Sequence, residues 1–155
     1  MADILYNKAL EGIFDDTINL VNDTIKVMLV TSAYSPDKDH DFVTASGAGA
    51  AELSGTGYTG GYGGSGRVAL TSQAAAEVDA SDNAKMTIAS VVFPACGPAG
   101  TAAGALFIKE TGGSDATSRL IAYIDTGFPG AGLITNGSDI TISFPSNILF
   151  TMAQA

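Results

Sequence analysis

Short runs of β-branched and apolar residues recur along this chain. Each is cut off by glycine, proline or an Asn-Gly pair, and no long helical period separates them. That spacing constrains the chain to an antiparallel β architecture. The clearest run is Thr24–Ser32, TIKVMLVTS. Ile25, Val27, Leu29 and Thr31 fall on one face of a strand, and Lys26, Met28 and Val30 on the other, which is therefore partly apolar too. Asn22-Asp23 before it signals a turn, and Thr17–Val21 reads as a short strand paired with it. Further strands are expected at Arg67–Thr71, Ala74–Val78, Ala84–Phe93, Ala103–Glu110 and Ser118–Asp125. Leu133–Thr135, Asp139–Phe144 and Ile148–Met152 complete the set, with Pro145 breaking the last two apart. Pro94–Gly100, Phe128–Gly132 and Asn136-Gly137 read as turns, and TGGSDAT as a hairpin loop between Glu110 and Ser118.

Leu5, Ala9, Leu10, Ile13 and Phe14 have helical spacing, although Gly12 weakens that segment. Pro36–Gly66 is the least regular part, a charged run followed by ASGAGAAELSGTGYTGGYGGSG. A structureless stretch this long is unusual inside a compact domain, and it is expected to order against a neighbouring subunit. The expected fold is mainly β, an antiparallel β-sandwich or barrel with one short N-terminal helix and a long Gly-rich loop. At 155 residues the chain fits a single domain over 1–155, with the loop inserted at about 36–66.

Seven basic against 16 acidic residues give a net charge of −9, which disfavours phosphate backbones and anionic membranes. Charged residues make up only 15% of the chain, under the typical ~25%, as suits a subunit that buries surface against neighbours. There is no apolar run of transmembrane length. The opening MADILYNKALEG, with Asp3 and no unbroken apolar stretch, does not read as a secretory signal, so the protein is expected to be made and kept in a cytoplasm, or released by lysis. The single cysteine, Cys96, cannot form an internal disulfide and reads as a small core filler.

Several chemical motifs fail on context. Gly55-Thr56-Gly57-Tyr58-Thr59-Gly60 spells G-x-G-x-x-G but runs into GYGGSGR, which cannot open the helix a dinucleotide site needs. Tyr58 and Tyr62 among these glycines read as anchors of the loop and, together with Asp37, Asp39 and Asp41, as candidate contact residues. Asp37, Asp39 and Asp41 alternate like the first ligands of a calcium loop, but Phe42 and Ala48 occupy the positions where an EF-hand needs glycine and glutamate. A solvated acidic turn is the plainer reading, with a looser cation site as the alternative. His40, the one histidine, has no elbow motif or cysteines to work with and reads as a surface residue. Asp15-Asp16 and Asp79/Asp82 sit in turn contexts, not across a cleft. The sequons at Asn22 and Asn136 mean little without secretion. No catalytic residues, cofactor or metal are expected, and the chain reads as a non-enzyme.

The segments YNKALEGIFDDTINLVNDTIKVMLVTSAYSPDKDHDFV, ELSGTGYTGG and ALFIKETGGSDATSRLIAYIDTG, taken together, resemble small structural proteins of tailed bacteriophages. The likeness runs from Tyr6 to Gly127, and the glycine-rich Gly55–Gly66 is a departure from it. The resemblance implies a virion component. Within that class, a capsid decoration or cement protein is favoured, binding the major capsid protein and copies of itself, with a trimer as the simplest arrangement. A tail tube, tip or fibre component and a host-glycan-binding adhesin module are the alternatives. Tyr34, Tyr58, Tyr62 and Tyr123 are the aromatic candidates for glycan binding.

Overall fold

The computed structural model describes residues 3–81 and 83–153. Strand β1 (Ile4–Leu5), helix α1 (Asn7–Phe14) and strand β2 (Ile25–Val30) open the chain. The short helix α2 (Ala48–Ala51), then β3 (Val68–Ala69), β4 (Ala74–Val78), β5 (Asn83–Thr87) and β6 (Val91–Phe93) follow. The remaining strands are β7 (Thr101–Ala102), β8 (Gly104–Lys109), β9 (Arg119–Ile124), β10 (Leu133–Ile134), β11 (Ile140–Ile142) and β12 (Ile148–Ala153). The fold is mainly β and its pairings are antiparallel. The largest sheet runs β1-β9-β8-β2-β3, beside a three-stranded sheet β12-β5-β4 and the pairs β11-β6 and β10-β7. The sheets do not close into a barrel among the described residues.

The largest sheet is built on the segments with the strongest apolar patterning. β2 runs against β8 in unbroken register from Ile25↔Lys109 to Val30↔Gly104, and β8 turns into β9 through the TGGSDAT loop. Five of the six β2 residues are buried, so both faces of the strand are covered, and only Lys26 is partly exposed. The buried side chains form one cluster that takes in Tyr6 on α1's flank, β2, β8, β9, Phe93 and Ile140 from the smaller sheets, and Phe144 just beyond β11. At the other extreme, Ala74–Glu77 of β4 are exposed along their whole length.

Helix α1 sits where expected and packs on β9. Gly12, a weakness by propensity, is required by packing: a Cβ there would lie 2.8 Å from Ile18 Cδ1 and 3.0 Å from Arg119 Nη1. Phe14, grouped with the apolar face in the sequence, points outward and is 83% exposed.

Two sequence expectations are corrected. Thr17–Val21 is not a strand, because asparagine and aspartate side chains capture its backbone. Asp15 Oδ1 accepts from Thr17 N (3.0 Å), Asp23 Oδ2 from Asn19 N (2.7 Å), and Asn19 Oδ1 from Val21 N and Asn22 N. Ala84–Phe93 is two strands rather than one. The chain changes partners at Ile88–Ser90, leaving β5 with β4 and β12 while β6 pairs with β11.

Candidate functional site

The glycine-rich segment is fixed by the chain's own contacts, which corrects the expectation that it orders only against a neighbour. β3 pairs with β2 only at Lys26 and Val27, so the edge of β2 beyond it is open. The loop fills that edge. Leu53 N donates to Leu29 O (3.0 Å), Thr31 N donates to Ala51 O (2.9 Å), and Leu29 N donates to Tyr58 Oη (2.9 Å). The tyrosine hydroxyl thus stands where a neighbouring strand's carbonyl would. Tyr58 in turn donates to Glu52 Oε1 (3.2 Å), stacks on Phe93 with ring centroids 6.1 Å apart, and is 1% exposed. Gly66 is pressed under its ring, where a Cβ would lie 2.5 Å from Tyr58 Cδ1. Tyr58 is therefore the anchor of the loop, and it cannot serve as a surface contact. Tyr62 remains 43% exposed.

Glu52 and Arg67, at the two ends of this loop, enclose an ionic cluster. Arg67 Nε and Nη2 donate to Glu52 Oε1 and Oε2 at 2.9 and 2.7 Å, while Gly61 N donates to Glu52 Oε2 at 2.8 Å. The opposite edge of the guanidinium donates to Asp115 Oδ1 (2.6 Å) and Oδ2 (2.8 Å), in the β8–β9 loop. Glu110 accepts from Arg67 Nη1 at 3.0 Å and from Lys26 Nζ at 2.7 Å. The Arg67 side chain has no solvent exposure and that of Glu52 only 2%. Burial alone would weaken the guanidinium's hold on its proton. The Glu52 and Asp115 carboxylates outweigh that and raise its pKa above the ordinary arginine value. With all five N–H donors of its guanidinium taken, Arg67 has none left for a substrate. It ties the glycine loop, β2 and the β8–β9 hairpin together.

The acidic triad is dispersed in small structural tasks. Asp37 Oδ1 accepts from Asp39 N (3.0 Å), Asp39 Oδ1 accepts from Asn7 Nδ2 (2.8 Å), and the Asp41 carbonyl accepts from Leu120 N (3.0 Å). Among the described residues, no three histidine, cysteine or acidic side chains converge as a metal would require. His40, expected on the surface, is half-buried, and its Nδ1 lies 3.2 Å from Tyr34 Oη. Tyr34 and Tyr6 share a buried hydrogen bond of 2.7 Å, and Tyr123 packs against Tyr34 at 5.7 Å between centroids. Burial raises the pKa of Tyr6, Tyr34, Tyr58 and Tyr123. Cys96 is buried, and desolvation raises its thiol pKa.

The carboxylate pairs considered for glycoside chemistry gain no cleft. Asp15 is spent on Thr17, whose hydroxyl and amide lower its pKa; Asp16 is exposed; Asp82 lies outside the described residues. Asp125 Oδ1 is a buried oxygen with no hydrogen-bond partner among the described residues. Sequence reasoning missed Glu52, Arg67, Glu110 and Asp115 because nothing in their spacing of 15 to 48 residues ties them together. The available signal was Arg67 itself, one of only seven basic residues, placed directly after a glycine-rich stretch. No helix among the described residues is long and apolar enough to cross a membrane. No protein-family model matches the chain, and no curated protein or solved structure does either.

Proposed function

We propose that this chain is a structural component of a tailed-bacteriophage virion, a decoration protein that binds the major capsid lattice and stabilises it. The supporting observation is that the segments carrying the phage resemblance are the ones that build the framework. DTIKVMLV supplies β2, and ALFIKE and SRLIAYID supply β8 and β9. The chain's strongest polar chemistry is spent inside, on Arg67 and its three carboxylates. On this reading the protein adds binding energy to an assembled lattice, raising particle stability by mass action, and performs no catalysis. Copies of the chain meet as trimers at threefold positions, in a particle assembled in the host cytoplasm.

Gold labelling of a tagged chain in purified particles, imaged by electron microscopy, tests the reading. Label over the head is expected. Label confined to the tail would replace it with the tail reading, and unlabelled particles would remove both.

The tail tube, tip or fibre reading draws on one observation, the exposed edge strand β4, which leaves a row of backbone groups for a neighbouring strand to join. The glycan-binding reading loses support, because Tyr6, Tyr34, Tyr58 and Tyr123 are all buried and only Tyr62 is left as an exposed tyrosine.

A further inference from the structure

We infer that copies of this chain meet through a groove between the α1–β2 connection and the three-stranded sheet, with Phe14 of one copy seated in the groove of another. Ile13, Leu20, Met86 and Phe150 give the groove an apolar lining. Its volume of about 250 Å³ is below the roughly 300–1,000 Å³ of small-molecule pockets, and it is of a size for a single aromatic side chain. Beside it stands that side chain. Phe14 is 83% exposed and lies between Ile13 and Asp16, both of which line the groove. Successive helical residues point about 100° apart, so Ile13 turning into the groove leaves Phe14 projecting next to it. A single exposed aromatic is ordinary, but one beside a hole that fits it makes the surface self-complementary.

Charge points to the same occupant. Asp16 and Lys85 line the groove with opposite signs, and neither has an ion-pair partner among the described residues. That is notable in a chain with only seven basic residues, of which Lys8, Lys26, Arg67 and Lys109 are already paired. A second copy brings Lys85 to Asp16 and Asp16 to Lys85. Each copy gives and receives the same contact across a twofold axis, so this surface joins copies in closed pairs, separately from the threefold contact proposed above. The surface is separable from capsid binding: loss of self-association would leave single copies able to bind a head, and a chain that ignored capsids could still associate through it.

Sedimentation velocity on the purified chain tests this. A concentration-dependent oligomer is expected, and Phe14→Asp should weaken it at least tenfold while its monomer melts as cooperatively as the wild type diluted below association, since the side chain is exposed. Asp16→Lys and Lys85→Glu should each be monomeric alone and associate when mixed, because mixing restores opposite charges across the contact. Asp16 has φ +59°, where lysine is strained, so a melt accompanies each variant. If Asp16→Lys is unfolded, Phe14→Asp and Lys85→Glu carry the test. A wild-type monomer at every concentration overturns the inference. So does an oligomer indifferent to Phe14→Asp and Lys85→Glu, or folded single-charge variants that stay apart when mixed.

Discussion

Arg67 grips Glu52 through two parallel hydrogen bonds, Nε to Oε1 at 2.9 Å and Nη2 to Oε2 at 2.7 Å, and so closes the glycine-rich loop on itself. Asp115 receives the other edge of the same guanidinium. One side chain therefore joins two loops that sequence separates by 48 positions. Buried ion pairs are often neutral in net stability, but stripping one partner leaves the others charged and dry. Arg67→Met should thus cost about 3–5 kcal/mol in urea unfolding. Arg67→Lys should recover only part of it, because an ammonium cannot serve two carboxylates in planar pairs. A loss under about 1 kcal/mol would mean that water reaches the cluster.

Tyr58→Phe keeps the ring against Phe93 but takes away the acceptor for Leu29 N–H. The cost should be about 1–3 kcal/mol, as for an orphaned buried polar group. Hydrogen exchange localises the effect: the Leu29 amide should lose protection while amides of the β8–β9 ladder keep theirs. Unchanged protection at Leu29 would show that the hydroxyl is dispensable to that edge.

Glycines in this chain divide by what surrounds them. Gly66→Ala drives a methyl into the Tyr58 ring and should cost about 1–3 kcal/mol by overpacking. Gly130 has open space around it and no positive φ, so Gly130→Ala should be neutral or slightly stabilising. Deleting Gly60–Gly66 should lower stability clearly in denaturant titrations, since Gly61 N and Gly66 are both part of the anchor.

Alkaline pH should unfold the protein. Tyr6, Tyr34, Tyr58 and Tyr123 have pKa values raised by burial, so above about pH 10 the unfolded chain loses phenolic protons that the folded chain keeps. Unfolded chains then bind fewer protons, and stability, fully present below pH 10, falls as pH rises, by about 1.4 kcal/mol per pH unit for each tyrosine that stays protonated in the folded state, Tyr6 and Tyr58 foremost. Urea midpoints between pH 8 and 11.5 check this, alongside tyrosinate absorbance. Flat midpoints, with ionisation near pH 10 in the folded state, would contradict the burial of these rings.

The strands were legible where one local pattern sufficed. β2, β4, β8 and β9 fall within a residue or two of their expected limits, because alternation, β-branching and glycine turns are short-range signals. Thr17–Val21 misled because its apolar residues looked like a strand, while Asp15, Asn19 and Asp23 bind its backbone as turns. Phe14 misled in the other direction: helical spacing groups it with Ile13, but β9 covers a narrower stripe of α1.

By itself, then, the sequence determined the β class, the central hairpin, the N-terminal helix and the burial of Cys96, since each follows from neighbours in the chain. Tertiary structure alone decided the fate of the glycine-rich segment. By composition it is the loosest part of the protein. It becomes fixed because the short β3 leaves an edge of β2 open, Tyr58 reaches that edge, and Arg67 finds carboxylates on two distant loops. Those partners meet only once the sheet has formed, and their separation along the chain leaves no periodicity to read.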